Sequence, residues 1–379
     1  MEVILGAVLA ISVYGGINFY VGKRLHQYIS FIFPKANGIV FAVVYILLAL
    51  TILLSFMPLP IIVKKTVRFI GAYWLGFFVY FLIFFLLSDL AVLLGNAIKL
   101  IPSHMLQNVQ FYAKTAAILL TIGVVCYGLY NANQLKIVSY EVQLKRSLAG
   151  DINIVLISDL HLGDINSENR LEDIVREINS LNPDVVCIAG DIFSDDFYSI
   201  RDPEMASTLL KGIEATYGVF ASLGNHDGDM AGTQSEMMDF IERSNIILLN
   251  DEYKIIDERL VLIGRLDASP IGGFKDVRRK DFSEILANTN VDLPIVVMEH
   301  NPGHIDEYGS EVDLILSGHT HRGQIFPGSL ITRAVYTVDY GHYQKDSDSP
   351  NVIVTQGVHT WMMPMRVGTD NEIVNILLQ

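Results

Sequence analysis

The sequence has few charged residues and almost no cysteine. Only 18% of its 379 residues are Asp, Glu, Lys or Arg, whereas a soluble domain carries roughly a quarter. Two cysteines are too few for a disulfide framework, so the cysteine count does not indicate whether the protein lies in a reducing or an oxidising compartment. Acidic residues are scarcest in residues 1–150, which hold three Asp/Glu against eleven Lys/Arg, a balance of +8. The remaining residues, 151–379, have a formal net charge of −22. This asymmetry argues against a single soluble globule and against a nucleic-acid scaffold bound through a basic surface.

Four stretches of the first part lack any charged residue over the length of a membrane span. A helix needs about 20 mostly apolar residues to cross the hydrocarbon core of a bilayer. The stretches are Val3–Val21, Ala36–Val63, Phe69–Ser88 and Thr115–Leu135. We therefore expect a domain of four transmembrane helices over residues 1–135 in an integral protein of the cell membrane, with the lipid bilayer as a partner. The alternative is a very apolar buried helical core.

Charges beside the predicted spans bear on topology. Asp89 directly follows the third stretch, so we expect it at a membrane interface; a buried functional carboxylate is the alternative. Four spans place both ends of the helical domain on one side of the membrane. The loops on the two sides of the membrane have nearly equal numbers of basic residues, so the positive-inside rule does not decide the orientation. Glu2 before the first stretch and Lys23-Arg24 after it favour an extracytoplasmic position for the acidic part.

Residues 151–379 alternate short apolar runs with helical patterns. Apolar runs of this length are typical of buried strands in a covered sheet, and alternation with helices predicts a layered α/β domain. The segment 136–150 is expected to be a linker or a first strand. The main predicted strands are Ile152–Ser158, Asp184–Gly190, Gly218–Leu223, Leu293–Glu299 and Val312–Ser317.

Each of these five strands ends in residues that can bind a metal or exchange a proton. Ligands of open α/β sheets bind outside the carboxyl ends of the strands. One such motif could be a turn or a structural histidine, but five in the same position favour a single site. The residues are Asp159 and His161 in S-D-L-H, Asp191 in A-G-D, Asn225 and His226 in G-N-H-D, His300 in E-H-N-P, and His319 and His321 in G-H-T-H.

These residue types suit a dinuclear metal centre. Carboxylate oxygens, imidazole nitrogens and an amide oxygen favour borderline divalent metals. Residues i and i+2 of an extended strand end point to the same face, so Asp159 and His161 can hold one ion, and His319 and His321 have the same spacing. Asp191 offers two oxygens and can bridge two ions. Two ions about 3.5–4 Å apart can activate a water and stabilise an in-line displacement at phosphorus.

With these motifs in this order, residues 151–379 resemble the calcineurin-like metallophosphoesterase superfamily. The tail from Pro364 to Ile373 is similar to the closing motif of the membrane-associated branch that includes YkuE- and YaeI-type proteins and enzymes like UDP-2,3-diacylglucosamine pyrophosphohydrolase. The resemblance implies an αββα layered sandwich. It also implies two divalent ions, with Mn²⁺ preferred over Fe²⁺, Zn²⁺ or Mg²⁺.

The resemblance also assigns roles to individual residues. It places the first ion on Asp159, His161, Asp191 and His321, and the second on Asp191, Asn225, His300 and His319. His226 is not a ligand in this scheme; it protonates the leaving oxygen or stabilises the phosphoryl transition state. Asp227 is expected to orient it.

Basic residues near these motifs are candidate substrate contacts. Arg322 follows G-H-T-H and can clamp a phosphate; an ordinary solvated arginine is the alternative. Lys275, Arg278, Arg279 and Lys280 form a basic cluster in the acidic domain. They can contact anionic lipid head groups or a substrate phosphate, or form a solvated face.

The sequence therefore predicts a membrane-embedded phosphohydrolase that cleaves a phosphodiester or pyrophosphate bond. The resemblance implies attack by a metal-bridging hydroxide with assistance from His226. Four helices exceed what tethering requires, which favours a phosphate-containing, lipid-linked small-molecule substrate. The alternatives are a tethered phosphodiesterase for soluble nucleotides and a non-catalytic metal-binding sensor or scaffold. The oligomeric state is left open.

Overall fold

The computed structural model describes residues 2–57, 59–194, 196–275 and 277–379. The chain divides into two compact units, Met1–Leu129 and Tyr130–Gln379. The first contains only helices among its described residues. The second contains two sheets with helices packed on their outer faces. Each unit is described by itself below.

Long apolar helices form the first unit. Aromatic side chains dominate its interior, where Trp74, Phe78, Phe81 and Phe85 of one helix pack on each other and on Tyr45 of another. Most other apolar side chains of these helices are exposed. The helices are α1 (Glu2–Ile32), α2 (Gly38–Leu54), α3 (Ile61–Ala97) and α4 (Leu106–Asn131), the last preceded by a 3₁₀ turn at Ser103–Met105.

Two segments of this unit have the length and apolar composition to cross a membrane: Ile61–Ala97 and Ser103–Asn131. α2 is apolar but has only 17 residues, so it extends about 25 Å, less than the ~30 Å hydrocarbon core. The span predicted within Ala36–Val63 is not one of these two segments, because α2 stops at Leu54 and a new helix starts at Ile61. Pro60 caps that new helix, and proline, which has no N–H, is tolerated at a helix start but not in its interior.

Two six-stranded mixed sheets lie in the described part of the second unit. Their strand orders are β1-β12-β2-β3-β4-β5 and β10-β11-β9-β8-β7-β6. Strands β2 to β5 are mutually parallel, as are β7, β8, β9 and β11. The strands are β1 (Leu135–Val142), β2 (Ile152–Ile157), β3 (Val185–Ala189), β4 (Val219–Ser222), β5 (Ile246–Leu248), β6 (Glu252–Ile256), β7 (Leu260–Gly264), β8 (Ile295–Met298), β9 (Leu314–Ser317), β10 (Gly341–Tyr343), β11 (Asn351–Val354) and β12 (Asn371–Leu378).

The layers follow from which side chains are buried together. One apolar cluster joins the facing sides of the two sheets, with Leu156 and Cys187 from the first and Leu262 from the second. Helices on the outer face of the first sheet bury their apolar sides in another cluster, and α8 does so on the second sheet. The helices of this unit are α5 (Leu171–Ser180), α6 (Pro203–Lys211), α7 (Gln234–Arg243), α8 (Phe282–Leu286) and α9 (Gly328–Val335). The result is a helix–sheet–sheet–helix arrangement.

Candidate metal centre

The candidate ligands follow β2, β3, β4, β8 and β9 at their carboxyl ends. Each strand runs through the apolar core and stops where the chain turns sharply. At these turns five non-glycine candidate ligands have positive φ, a conformation few such residues adopt. They are Asp159, His161, Asp191, His319 and His321, with φ of 59°, 47°, 53°, 69° and 46°. Strain of this kind is concentrated at functional sites, where the surrounding fold enforces it.

The first cluster of donors is formed by Asp159, His161 and His321. The Nε2 atoms of His161 and His321 are 3.1 Å apart. Asp159 Oδ1 lies 3.3 Å from His321 Nε2 and 3.7 Å from His161 Nε2. All three side chains are buried. Ligand bonds of about 2.0–2.2 Å around one ion separate neighbouring donors by about 3.0–3.6 Å; two sides of this triangle lie in that range, and the third, at 3.7 Å, is slightly longer.

The second cluster of donors is formed by Asp191, Asn225, His300 and His319. Asp191 Oδ2 lies 3.2 Å from His300 Nε2, and Asn225 Oδ1 lies 2.8 Å from His319 Nδ1. His300 donates its Nδ1 hydrogen to the Ala189 carbonyl at 2.7 Å, which orients the ring so that Nε2 faces the cluster. These contacts bring together all four residues predicted for the second ion.

Asp191 links the two clusters through one oxygen. Its Oδ2 is 3.8 Å from His161 Nε2 in the first cluster and 3.2 Å from His300 Nε2 in the second. Its Oδ1 accepts the backbone N–H of His226 at 2.9 Å. The sequence predicts that Asp191 can bridge two ions with its two oxygens; in the structure a single oxygen faces both clusters, and the other positions His226.

Glycines before the ligands let neighbouring strand ends approach closely. A Cβ on Gly224 would lie 2.3 Å from Asp191 Oδ1, and one on Gly318 would lie 2.0 Å from Ser158 Oγ and 2.5 Å from Asp159 Oδ2. Real Cβ atoms do not approach other atoms this closely. The Gly in G-N-H-D and the Gly in G-H-T-H are therefore needed for packing around the carboxylates.

His226 and Asp227 occupy a short turn after β4. The His226 ring lies 5.3 Å from the His161 ring and 5.4 Å from the Trp361 ring, measured between centroids. Asp227 accepts backbone N–H groups with both oxygens, from Phe193 at 2.9 Å and Gly224 at 2.8 Å. We therefore assign Asp227 to fixing the turn that carries His226.

Burial and charge together describe a site that attracts cations. Burial and the Asp191 charge raise the pKa of Asp227 to about 7. Burial also raises the pKa of Asp159 to about 6. Although burial opposes it, Asp191 raises the pKa of His300 well above its ordinary value. The carboxylates thus favour positive charge at the centre of the clusters, which is the condition for binding metal cations.

Buried polar atoms without partners provide an independent test of whether the residues fit metal ions. Among the described residues, Asp159 Oδ1 and His300 Nε2 are buried and make no hydrogen bond. An unpaired buried polar atom is costly, and coordination of a cation removes that cost. Oxygen and imidazole donors match borderline divalent ions. The residues therefore fit two divalent cations.

Arg366, which the motifs did not predict as part of the site, supports the first cluster. This side chain is fully buried and donates to the carbonyls of His321, Gln356 and His359 at 3.0, 2.7 and 2.6 Å. Its Nη2 lies 3.1 Å from His321 Nδ1. Arg366 lies inside the tail motif Pro364–Ile373, so that motif was the available signal.

Two further residues near the second cluster were also missed. Asp267 is buried, and among the described residues its Oδ2 has no partner; its charge helps to raise the pKa of His300, after that of Asp191 and Asp159. Tyr336, at the end of α9, has its ring 6.1 Å from that of His319. Nothing in their sequence neighbourhoods distinguishes them, because only the folded chain brings them to the site.

The candidate substrate contacts have different surroundings. Arg322 is partly exposed, and its guanidinium stacks on the Tyr340 ring at 4.5 Å. Arg278 is exposed. Arg279 forms ion pairs with Glu299 at 2.7 Å and Glu307 at 2.6 Å. Carboxylates of the domain itself thus neutralise Arg279, which leaves Arg322 and Arg278 as the stronger candidates for an anionic group.

Comparison with known proteins gives consistent matches. The model of the calcineurin-like phosphoesterase family matches residues 152–323. A Caenorhabditis elegans protein described as a metallophosphoesterase is 31% identical over 342 residues, which are 85% of this chain and 68% of that protein. A Danio rerio transmembrane protein with a metallophosphoesterase domain is 29% identical over 71% of this chain and 63% of its own. Bacillus subtilis YkuE, described as an uncharacterized metallophosphoesterase, is 28% identical over 60% of this chain and 78% of its own. The chain thus spans about two thirds of the length of the first two relatives.

Proposed function

The chain belongs to the calcineurin-like metallophosphoesterase family, and from this premise we propose that it is a membrane-embedded two-metal hydrolase of a phosphodiester or pyrophosphate bond in a lipid-linked substrate. The resemblance predicted from the motifs, including that to YkuE, is confirmed. One observation carries the proposed chemistry: the two donor clusters meet at Asp191, beside a histidine outside both of them.

Two divalent ions held by these clusters would act as Lewis acids and would supply a nucleophilic water at neutral pH. We assign one to Asp159, His161, Asp191 and His321, and the other to Asp191, Asn225, His300 and His319. We propose Mn²⁺ as the preferred ion, as the family resemblance implies; the carboxylate and amide oxygens suit it, and the imidazoles suit Fe²⁺ and Zn²⁺ as well.

The chain's own residues would position the substrate and move one proton. Asp191 holds the backbone of His226, and Asp227 holds the turn around it, so the imidazole is fixed at the edge of the site. His226 would donate a proton to the leaving oxygen, a task for which imidazole is suited near neutral pH. Arg322 would bind a non-reacting phosphate oxygen.

A lipid-linked substrate is supported by the surface of α9. This helix begins shortly after the G-H-T-H motif, and Tyr336 at its end contacts His319. Leu330, Ile331 and Val335 are 56%, 66% and 68% exposed. Contiguous exposed apolar side chains beside a site mark an apolar ligand or a membrane surface. We propose that this face binds the hydrocarbon part of the substrate.

Membrane embedding is supported by the two segments long enough to span and by the many exposed apolar side chains of the helical unit. The transmembrane description of the Danio rerio relative agrees with it. We propose that α1 and α2 also insert, giving four spans, with α2 covering only part of the bilayer. The charges flanking α1 favour an extracytoplasmic catalytic domain.

The proposal is tested with the purified full-length protein and Mn²⁺. A diacyl pyrophosphate lipid is compared with a water-soluble nucleotide diphosphate that presents the same bond. We expect a kcat/KM at least about tenfold higher for the lipid, since one buried apolar side chain or chain segment contributes about 1.5–3 kcal/mol. A preference for the nucleotide would support a tethered phosphodiesterase instead. Absence of hydrolysis of either, with metal bound, would support a sensor or scaffold.

The contribution of α9 has its own matched control. Leu330→Ser and Ile331→Ser should lower kcat/KM for the lipid about tenfold and leave the soluble substrate unaffected. Met205→Ser on α6 removes another exposed apolar side chain and should change neither. Equal loss on both substrates would mean that α9 supports the metal centre rather than the lipid.

A further inference from the structure

Three charged residues of the helical unit lie at the borders of its uncharged stretches. Arg24 follows Val3–Val21, Asp89 follows Phe69–Ser88, and Lys114 precedes Thr115–Leu135. They belong to three different helices, α1, α3 and α4. In the folded unit all three line one pocket of about 630 Å³. The pocket therefore lies where the charged residues beside these uncharged stretches come together, although α3 remains apolar from Leu90 to Leu94.

The pocket has a net positive charge. Arg24 pairs with Asp89 at 2.7 Å, and Tyr20 also donates to Asp89 at 2.6 Å. This pairing neutralises one cation and leaves Lys114 as a second. Arg24 and Lys114 both donate to the same oxygen, Gln27 Oε1, at 2.9 and 3.3 Å. Two cations that share one neutral acceptor repel each other, and an anion bound between them would relieve the repulsion.

The rest of the lining is divided between amide and apolar groups. Asn96, Gln107 and Gln110 offer amides that can bind phosphate oxygens. Phe111 stacks against Tyr28 and Phe31 at 5.5 and 4.4 Å, which makes one wall aromatic. The volume is within the roughly 300–1,000 Å³ of small-molecule pockets, so it exceeds what an isolated inorganic ion needs. The lining suits a molecule with an anionic polar end and an apolar remainder.

We infer that this pocket of the helical unit binds the phosphate-bearing head group of an anionic membrane lipid. Arg24 and Lys114 contact the phosphate, and the aromatic wall contacts the glycerol and proximal acyl carbons. Basic pockets between membrane helices bind lipid head groups in this way. The inference uses the proposed membrane embedding but not the proposed hydrolysis, since all its residues lie in the helical unit.

The test measures binding of defined probes to the full-length protein in an uncharged detergent. The probes are dioctanoyl phosphatidylglycerol, dioctanoyl phosphatidylcholine and inorganic phosphate, titrated by calorimetry. The intact protein should bind phosphatidylglycerol about tenfold more tightly than phosphatidylcholine, because the two lipids share the phosphate but phosphatidylcholine adds a quaternary ammonium that Arg24 and Lys114 repel. Inorganic phosphate should bind more weakly than phosphatidylglycerol, because it lacks the apolar part.

Variants assign the binding to the pocket. Lys114→Gln should abolish the preference for phosphatidylglycerol, and Gln110→Glu should do the same by adding an anion while leaving the Arg24–Asp89 pair intact. Lys65→Gln removes an equal charge from an exposed position on α3 and should retain the preference. All three should hydrolyse a soluble phosphodiester at the rate of the intact protein, which separates this site from the metal centre.

Two results would overturn the inference. The first is equal affinity for the two lipids, or the same preference in Lys114→Gln as in Lys65→Gln. The second is binding of inorganic phosphate as tight as that of phosphatidylglycerol and equally dependent on Lys114, which would make the pocket a site for free anions.

Discussion

At the scale of single residues, the proposed function assigns proton transfer to His226 and metal binding to its neighbours. His226 lies beside both donor clusters and belongs to neither, and its backbone is fixed by Asp191. His226→Asn should therefore keep the bound metal and lower kcat by about 10²–10⁴, the usual contribution of a general acid. Turnover of a phosphodiester and metal content by elemental analysis check this. His342→Gln, which changes a histidine hydrogen-bonded to Asn351, is the control. Unchanged turnover in His226→Asn would remove this residue from the mechanism.

Arg366 acts on the metal centre through His321. Its planar guanidinium donates to three carbonyls at once. A lysine keeps the charge but cannot make these three hydrogen bonds in the same plane. Arg366→Lys should weaken Mn²⁺ binding about 10–100-fold, the usual cost of losing a group that orients a ligand. Calorimetric titration of Mn²⁺ measures the effect, and Arg243→Lys on the exposed face of α7 is the control. A lower Tm with unchanged Mn²⁺ affinity would show that Arg366 serves folding alone.

At the scale of elements, the close approach of β2 and β9 depends on Gly318. A Cβ there would collide with Ser158 and with the carboxylate of Asp159. Gly318→Ala should displace Asp159 and weaken Mn²⁺ binding at least about tenfold, with secondary structure retained. Gly309→Ala meets only the flexible end of Glu311 and should bind Mn²⁺ normally. Circular dichroism and Mn²⁺ titration distinguish the two; normal binding by Gly318→Ala would mean that the strand ends can separate without cost.

The secondary-structure elements also show which features could be predicted from the sequence alone. The buried strands were predictable because β2, β3 and β9 are short apolar runs that end in polar turns, and the order of these turns indicated one site. The positive φ of Asp159 and the crowding around Gly318 were not predictable from the sequence, because both arise from neighbouring strands that are distant in sequence. The end of α2 at Leu54 was not specified, because the uncharged sequence continues past it while helical hydrogen bonding does not.

The same distinction applies to the short elements of the second sheet. β10 has three residues, and its pairing partner among the described strands is β11. A strand this short leaves no sequence pattern from which it could be predicted. α9 is amphipathic in sequence, but its apolar side is exposed rather than packed on the core. Periodicity shows that a helix has an apolar face, whereas only the fold shows whether that face is covered. The number of apolar stretches favoured a lipid-linked substrate from the sequence, whereas the exposed apolar side of α9 is visible only in the fold.

At the scale of the whole molecule, the uneven charge of the chain predicts a salt effect on catalysis. Residues 151–379 have a balance of −22, and a phosphate substrate is an anion, so their long-range interaction is repulsive. Salt screens charges beyond about 10 Å at 0.1 M ionic strength. Raising ionic strength from about 20 to 200 mM should therefore increase kcat/KM roughly threefold for a soluble dianionic phosphomonoester, with little change in kcat.

The charge of the substrate provides the internal control. Bis(p-nitrophenyl) phosphate carries one negative charge and p-nitrophenyl phosphate two at neutral pH, so the salt effect should be larger for the second. Arg322→Gln removes a cation near the site and should steepen the dependence for both. A decrease of kcat/KM with salt would mean that the metals and Arg322 reverse the field locally, and steering toward the site would then be attractive despite the acidic surface.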